Sequence, residues 1–182
     1  MENTNKKTLL EELNEDDLND YYYWKYLDPL QEAKNWNGPY IEEKHFTFTE
    51  FEKNYRESKY LYKNTLSTLA IKYEDDFLGV VTSYWKDEKS RWLECGIVIY
   101  KNTKWEKGLG SQVFKEWINY LFKETDANRI GISTWSGNIR MMKVANKAGM
   151  IEEARIRKGR VVEGEFYDAI QMGILREEWQ VF

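Results

Sequence analysis

A change of hydrophobic period part-way along the chain constrains its fold more than any other feature. Leu69, Ile71 and Tyr73 alternate with Ala70 and Lys72, and after a turn at Glu74-Asp75-Asp76 the residues Leu78, Val80, Thr82 and Tyr84 alternate again. A third apolar run, Leu93 to Tyr100, follows the polar stretch Lys86 to Ser90. Period-two runs joined by such short connections predict antiparallel neighbouring strands. Past Gly110 the period becomes helical, with Val113, Phe114, Trp117, Ile118 and Leu121 on one face. A sheet that must bury one face and a helix that must bury one stripe are expected to pack on each other.

The remaining segments extend this pattern. Thr8 to Leu13 reads as a first strand. Glu15-Asp16-Asp17 opens a helix, since acidic residues favour its N-terminal dipole, and that helix stops before Pro29. The stretch from Pro29 to Lys44 reads as loop, and Thr47 to Tyr55 as a second helix. Arg129 to Trp135 is a strand and Asn138 to Ala148 a helix. Two last strands, Ile151 to Arg157 and Phe166 to Leu175, flank a charged Gly159 to Gly164 connection. The order predicts an α/β architecture: one mixed sheet with helices on both faces. No linker or repeat divides residues 1–182, so one domain is expected.

Composition narrows the function classes. The chain is 42% apolar and 16% aromatic, enough for a real core rather than a disordered chain. The net charge of -4 is spread through mixed acids and bases, which is no nucleic-acid footprint. Lys6-Lys7 and Arg155-Arg157-Lys158-Arg160 read as solvated surface. A single cysteine, Cys95, excludes an internal disulfide and fits a reducing compartment. Met1 to Lys7 is polar, and no run approaches the roughly 18 to 20 apolar residues that span a bilayer. The expectation is a cytoplasmic protein with no membrane partner. No His, Cys and Asp cluster has metal-ligand spacing, so no metal is expected.

One turn carries chemistry. A strand ending at Tyr100 runs through Trp105, Glu106 and Lys107 into a helix from Gly108, with Gly110 behind it. The first N–H groups of a helix lack intrahelical partners and its dipole makes that end positive, a recipe for holding an anion. Glycines let a phosphate approach the backbone. An ordinary strand-to-helix connection has the same appearance, because isolated Gly-x-Gly patterns are common. The Gly-x-x-x-x-Gly-Lys-Ser/Thr loop is absent, and the dinucleotide fingerprint fails where Val113 replaces its third glycine.

Three segments decide between these readings by resemblance. Trp105-Glu106-Lys107-Gly108-Leu109-Gly110 resembles the Gln/Arg-x-x-Gly-x-Gly/Ala signature of the GNAT acetyltransferase superfamily, with an aromatic in the first place. Asn138 followed by Lys147-Ala148-Gly149-Met150 matches a second segment in register. Arg155, Arg157, Gly164, Tyr167-Asp168 and the run from Ile170 to Leu175 match a third. The chain looks most like the branch that acetylates ribosomal-protein N-termini. The resemblance covers about residues 93 to 175. It implies a single domain, 1–182, with a largely antiparallel twisted sheet of about seven strands. In it, 1–65 would form the acceptor side and 66–175 the sheet and cofactor core.

The resemblance also implies acetyl-CoA as co-substrate, and a primary amine as acceptor in a direct, ternary-complex transfer. The acceptor would be a protein or peptide N-terminus or a small amine. Two central strands, Leu93 to Tyr100 and Arg129 to Trp135, would splay. Pantetheine would bond backbone groups at Ile97, Val98 and Ile99, and the pyrophosphate would lie on N–H groups from Trp105 through Ser111. Asn138 would contact the pantetheine arm, or cap its helix, which Asn does well; both can hold.

Strand parity puts Glu94 with Gly96, Val98 and Tyr100 on one face, and Cys95, Ile97 and Ile99 on the other. Glu94 is the candidate general base, its alternative being an ordinary strand-edge charge. The general acid is not assigned: Ala145 and Met141 stand where relatives carry a Tyr or a Ser, and Tyr84 or Tyr167 are candidates from other segments. Cys95 reads as a buried strand cysteine and His45 as a surface residue. Tyr21-Tyr22-Tyr23-Trp24, Trp36 and Tyr40 are expected partly in the core and partly around an acceptor pocket, with Glu32, Glu42 and Glu43 suited to a cationic amine. A non-catalytic acyl-CoA-binding protein on the same fold is the alternative. A monomer or homodimer is expected.

Overall fold

The computed structural model describes residues 8–101 and 108–180. Nine strands and four α-helices follow one another among them. The strands are β1 (Thr8–Glu11), β2 (Tyr60–Tyr62), β3 (Thr65–Leu66), β4 (Thr68–Tyr73), β5 (Asp76–Asp87), β6 (Trp92–Ile99), β7 (Arg129–Trp135), β8 (Ile151–Val162) and β9 (Glu165–Leu175). The helices are α1 (Glu15–Tyr22), α2 (Phe48–Glu57), α3 (Leu109–Glu124) and α4 (Ile139–Lys147). Seven strands form one sheet in the order β1-β4-β5-β6-β7-β9-β8, and β2 and β3 form a separate hairpin. Every neighbouring pair in the large sheet is antiparallel except β6 with β7.

Alternation along the strands builds two cores. Leu69, Ile71, Val81, Leu93, Ile130, Ile132 and Ile170 face α3 and α4, where Val113, Phe114, Trp117, Ile118 and Leu121 fill the space. Trp117 is wholly buried and its indole donates to the Thr82 carbonyl at 3.2 Å, tying α3 to β5. Ala70, Val80, Phe77 and Tyr100 face the other way, onto Leu18 of α1 and Phe51 of α2. Both of those helices start on capping boxes, Asn14 with Asp17 and Thr47 with Glu50. The expected helices lie on both faces, as the alternating pattern requires.

Several boundaries differ from the expectation. The first strand ends at Glu11, because Asn14 is already committed to capping α1. The helix before Pro29 leaves α geometry at Tyr23 and continues as a π-helical turn to Leu27. The loop from Pro29 holds a 3-10 turn, Glu32–Asn35, started by the buried side chain of Gln31, which accepts from Ala33 N–H at 2.7 Å. The hairpin β2–β3 was not expected, since strands of three and two residues carry no period. Tertiary bonds hold it: Thr65 Oγ1 donates to the Glu124 carbonyl at 2.9 Å and Trp85 Nε1 to the Leu61 carbonyl at 3.0 Å.

The Gly159 to Gly164 connection is mostly strand. β8 runs through it to Val162, and the turn is Glu163 and Gly164, both with positive φ. A register shift between Ile156 and Arg160 absorbs the left-handed Lys158. Asp168 anchors this bulge, accepting from the Lys158 N–H and from Arg155 Nη1, each at 3.0 Å. Those two donors hold the Asp168 carboxyl below the usual carboxylate range, the backbone N–H most. β1 belongs to the central sheet beside β4.

Candidate active site

The parallel ladder between β6 and β7 is short. It pairs Trp92 with Arg129, Leu93 with Ile130 and Glu94 with Gly131, and then stops. Past that point β6 stays paired with β5 as far as Ile99, and β7 with β9 as far as Trp135. Each strand is held by its outer neighbour while the two diverge. This is the splay expected from the central strands.

A cleft of about 480 Å³ opens beside the end of β6 that has left β7. Ile97, Val98 and Ile99 form one wall, and Gly108, Gly110, Ser111 and Asn138 line it with the exposed face of α4. Seven of the sequence-predicted cofactor residues therefore meet in one place. Leu109 instead packs against the main core. Trp105, Glu106 and Lys107 lie outside the described residues.

Gly108 is the N-cap of α3 with φ +78°, in the left-handed region that favours glycine, and no side chain caps the helix there. The N-terminal end of a 16-residue helix thus opens at the cleft. Gly110 lies deeper. A Cβ there would stand 3.5 Å from Ile99 Cδ1 and 3.9 Å from Val144 Cγ2, so a longer side chain would grow into the space between β6 and α4.

The opposite wall carries charge that the motif reading did not use. Arg140, Lys143, Val144 and Lys147 line the cleft at i, i+3, i+4 and i+7, one face of α4. Among the described residues no acidic side chain lines the cleft. The spacing was readable in the sequence, but which side of α4 faced a ligand was not. A helix N-terminus, three cations and an apolar strip of Ile97, Ile99, Met141 and Val144 suit a ligand with an anionic end and a thin, largely apolar arm.

Asn138 is 4% exposed and does two jobs. Its Oδ1 accepts from the Met141 N–H at 3.0 Å, which makes it the α4 N-cap. Its Nδ2 donates to the Trp36 carbonyl at 3.0 Å. Trp135 Nε1 donates to the same carbonyl at 3.0 Å. The loop after the 3-10 turn is therefore fastened to the C-terminal end of β7 and the start of α4. Arg140 lies over the Trp36 ring at 4.9 Å and Arg160 over the Tyr40 ring at 4.6 Å. These rings, read from sequence as candidates for a cationic acceptor, already face arginines of this chain.

Glu94 sits at the last paired position, where the strands part. It is 3% exposed, so it is not a strand-edge charge. Trp92 Nε1 donates to its Oε1 at 3.1 Å and Ser133 Oγ to its Oε2 at 2.9 Å. Tyr84 stands opposite it in the β5–β6 register and is 55% exposed. Burial pushes the Tyr84 phenol up, and the Glu94 charge adds to the shift. Ser133 was missed by sequence reasoning, since one serine in a strand carries no signal until its neighbour across the sheet is known.

Other candidates fall away from this point. Cys95 points into the α3 core, and burial pushes its thiol up, which suits no nucleophile. His45 is exposed, its ring 5.2 Å from that of Tyr26. Tyr167 packs edge-on against Trp135 at 4.7 Å. Ala145 is wholly buried in the core. Tyr21, Tyr22 and Trp24 pack around Phe51 and Tyr100, so most of that stripe is core. Burial also raises the Tyr26 phenol to about 12. Among the described residues no group of His, Cys, Asp or Glu could hold a metal, and no helix is long and apolar enough to cross a membrane.

Comparison with known proteins gives one consistent result. The profile of the Acetyltransferase (GNAT) domain matches residues 7–151. YdaF of Bacillus subtilis (strain 168), which carries the name putative ribosomal N-acetyltransferase, is 29% identical over 108 residues, 59% of this chain and 58% of that protein. The fold is similar to that of spermidine N-acetyltransferase from Vibrio cholerae in complex with CoA and spermine. That likeness has a TM-score of 0.74 at 18% identity, over 94% of this chain and 96% of that one. A GNAT-family acetyltransferase from Streptococcus pneumoniae also gives 0.74, at 20% identity over 93% and 99%.

Proposed function

Because the chain belongs to the GNAT acetyltransferase domain family, we propose that it binds acetyl-CoA in the cleft between the diverging end of β6, the start of α3 and α4, and transfers the acetyl group to a primary amine. The observation that carries this is the splay itself. A parallel pair that separates after three residues, beside a cleft with a helix N-terminus and a cationic wall, leaves room for a ligand that a fully paired sheet would close. The pyrophosphate lies at the Gly108 end, against the N terminus of α3 and the α4 cations. The pantetheine arm runs along Ile97 to Ile99 toward Glu94.

Acetyl transfer asks little of the protein. The thioester is already activated, so approximation supplies much of the acceleration. Glu94 is the general base at the splay vertex, and a backbone N–H of β6 past the split serves the oxyanion. The thiolate leaves without an assigned acid, since neither Met141 nor Ala145 can supply a proton. The acceptor is a peptide N-terminus or small amine. The ribosomal naming of YdaF supports the first and the spermidine enzyme's name the second.

Calorimetric titration with acetyl-CoA tests the cleft. Gly108→Val and Gly110→Val should each weaken binding, and unchanged affinity in both would defeat the assignment. Glu94→Gln should slow turnover most at lower pH, where the acceptor is mostly protonated. An unaltered pH–rate profile would remove Glu94 as base. Binding without CoA release against any amine would leave a non-catalytic acyl-CoA-binding protein.

A further inference from the structure

Glu94 is placed where a base belongs, yet it is closed off. Its carboxylate is 3% exposed and both oxygens are engaged. On one side stands Trp92, with the Arg129 guanidinium 4.7 Å over its ring. Arg129 lies flat across the sheet: its Nη2 would be 3.3 Å from a Cβ on Gly131 and 2.6 Å from one on Gly173. Glu153 on β8 pairs with this guanidinium from beyond. Two glycines thus make room for an ion pair that walls Glu94 on the β9 side. Behind it, Cys95 belongs to the other face. An acceptor cannot meet the carboxylate from these directions.

The remaining partner is open. Ser133 is exposed, and its hydroxyl donates to Glu94 Oε2 at 2.9 Å. It is the first residue with a side chain on that face of β7 beyond the split, since the last paired position is Gly131. The matching step on β6 is Gly96, where a Cβ would meet nothing within 4 Å but Thr82 Oγ1, at 3.4 Å. Glu94, Ser133 and the gap at Gly96 therefore form a line from a buried carboxylate to an open face. A serine hydroxyl can donate one proton while accepting another.

We propose that Ser133 is a catalytic residue whose hydroxyl touches the acceptor amine and relays its proton to Glu94; this rests on the reading of Glu94 as the base. As the amine nitrogen bonds to the acetyl carbon, it gives a proton to Ser133 Oγ. The serine's own proton passes to Glu94 Oε2. The C–S bond then breaks with its electron pair on sulfur, leaving CoA as thiolate. Ser133 ends as a neutral hydroxyl and Glu94 as a carboxylic acid, which later returns its proton to solvent.

Single-turnover acetyl transfer to an amine accepted by the wild-type protein tests this, with Ser133→Ala, Ser133→Thr and Glu94→Gln compared. Ser133→Ala should lose about 100-fold in rate with acetyl-CoA affinity unchanged, and Ser133→Thr should recover most of it. The rate in mixed H2O and D2O should fall along a curve in the wild type, from two protons in flight, and along a straight line in Ser133→Ala. Ser133→Ala at the wild-type rate while Glu94→Gln is slow would overturn the relay and leave the base in place. Glu94→Gln at the wild-type rate would remove the base and the relay together. A straight line in the wild type would reduce Ser133 to a positioning role.

Discussion

Asn138 shows how much one side chain can hold at this site. Its carbonyl oxygen caps α4 and its amide nitrogen ties down Trp36, 102 residues away in sequence. The cap was legible, because Asn before a helix has a local reason to be there. The tie was not, because nothing near Trp36 in the sequence points to residue 138. Ser133 and Glu94, 39 residues apart, are the same case. Two substitutions separate the two jobs. Asn138→Ala should cost about 1–2 kcal/mol, read in urea unfolding. Asn138→Asp keeps an oxygen to cap with but sets a carboxylate against the Trp36 carbonyl. Amide exchange across residues 31 to 40 should quicken, because the donor to the Trp36 carbonyl is gone. Equal protection of that loop in the Asn138→Asp variant and the wild type would show that the Trp36 bond does not hold it.

At the scale of elements, period and parity carried the reading. The strands β4, β5 and β6 and the helix α3 lie where alternation and the 3.6-residue stripe put them, because those patterns are what burial on one face imposes. The elements that were not legible are the ones that burial does not pattern. β2 and β3 are too short, the π-helical turn looks like more helix, and the β8 bulge depends on Asp168 from the next strand. α4 was found but not oriented. Its face toward the cleft carries Arg140, Lys143 and Lys147, all exposed, so their attraction for phosphate is screened by water. Each exposed charge is worth roughly 0.5–1 kcal/mol. Lys143→Gln with Lys147→Gln should then weaken acetyl-CoA about 5–30-fold. The loss should shrink as salt is raised, because the interaction removed is coulombic. A loss that stays the same from low to high salt would mean that these lysines act by shape instead.

The seven-stranded sheet is two segments joined at a narrow seam. β1, β4, β5 and β6 form one ladder and β7, β9 and β8 another, with three residue pairs between them. The α3 and α4 side chains in the main core bridge the seam on one face. A ligand filling the cleft touches β6, α3 and α4 together, so it should stabilise the joint rather than one element. Binding to the folded state alone adds about 2.7 kcal/mol at a hundredfold excess over Kd. For a domain of this size that is a rise in Tm of about 5–10 °C. Gly110→Phe provides the contrast. Its Cβ meets Ile99 and Val144 at ordinary contact distances, so the ring should pack in the cleft instead of disrupting the fold. The unliganded variant should melt at or above the wild-type temperature and gain nothing from acetyl-CoA. A variant that melts normally and still gains the full shift would place the ligand elsewhere, because the cleft between β6 and α4 would no longer be open to it.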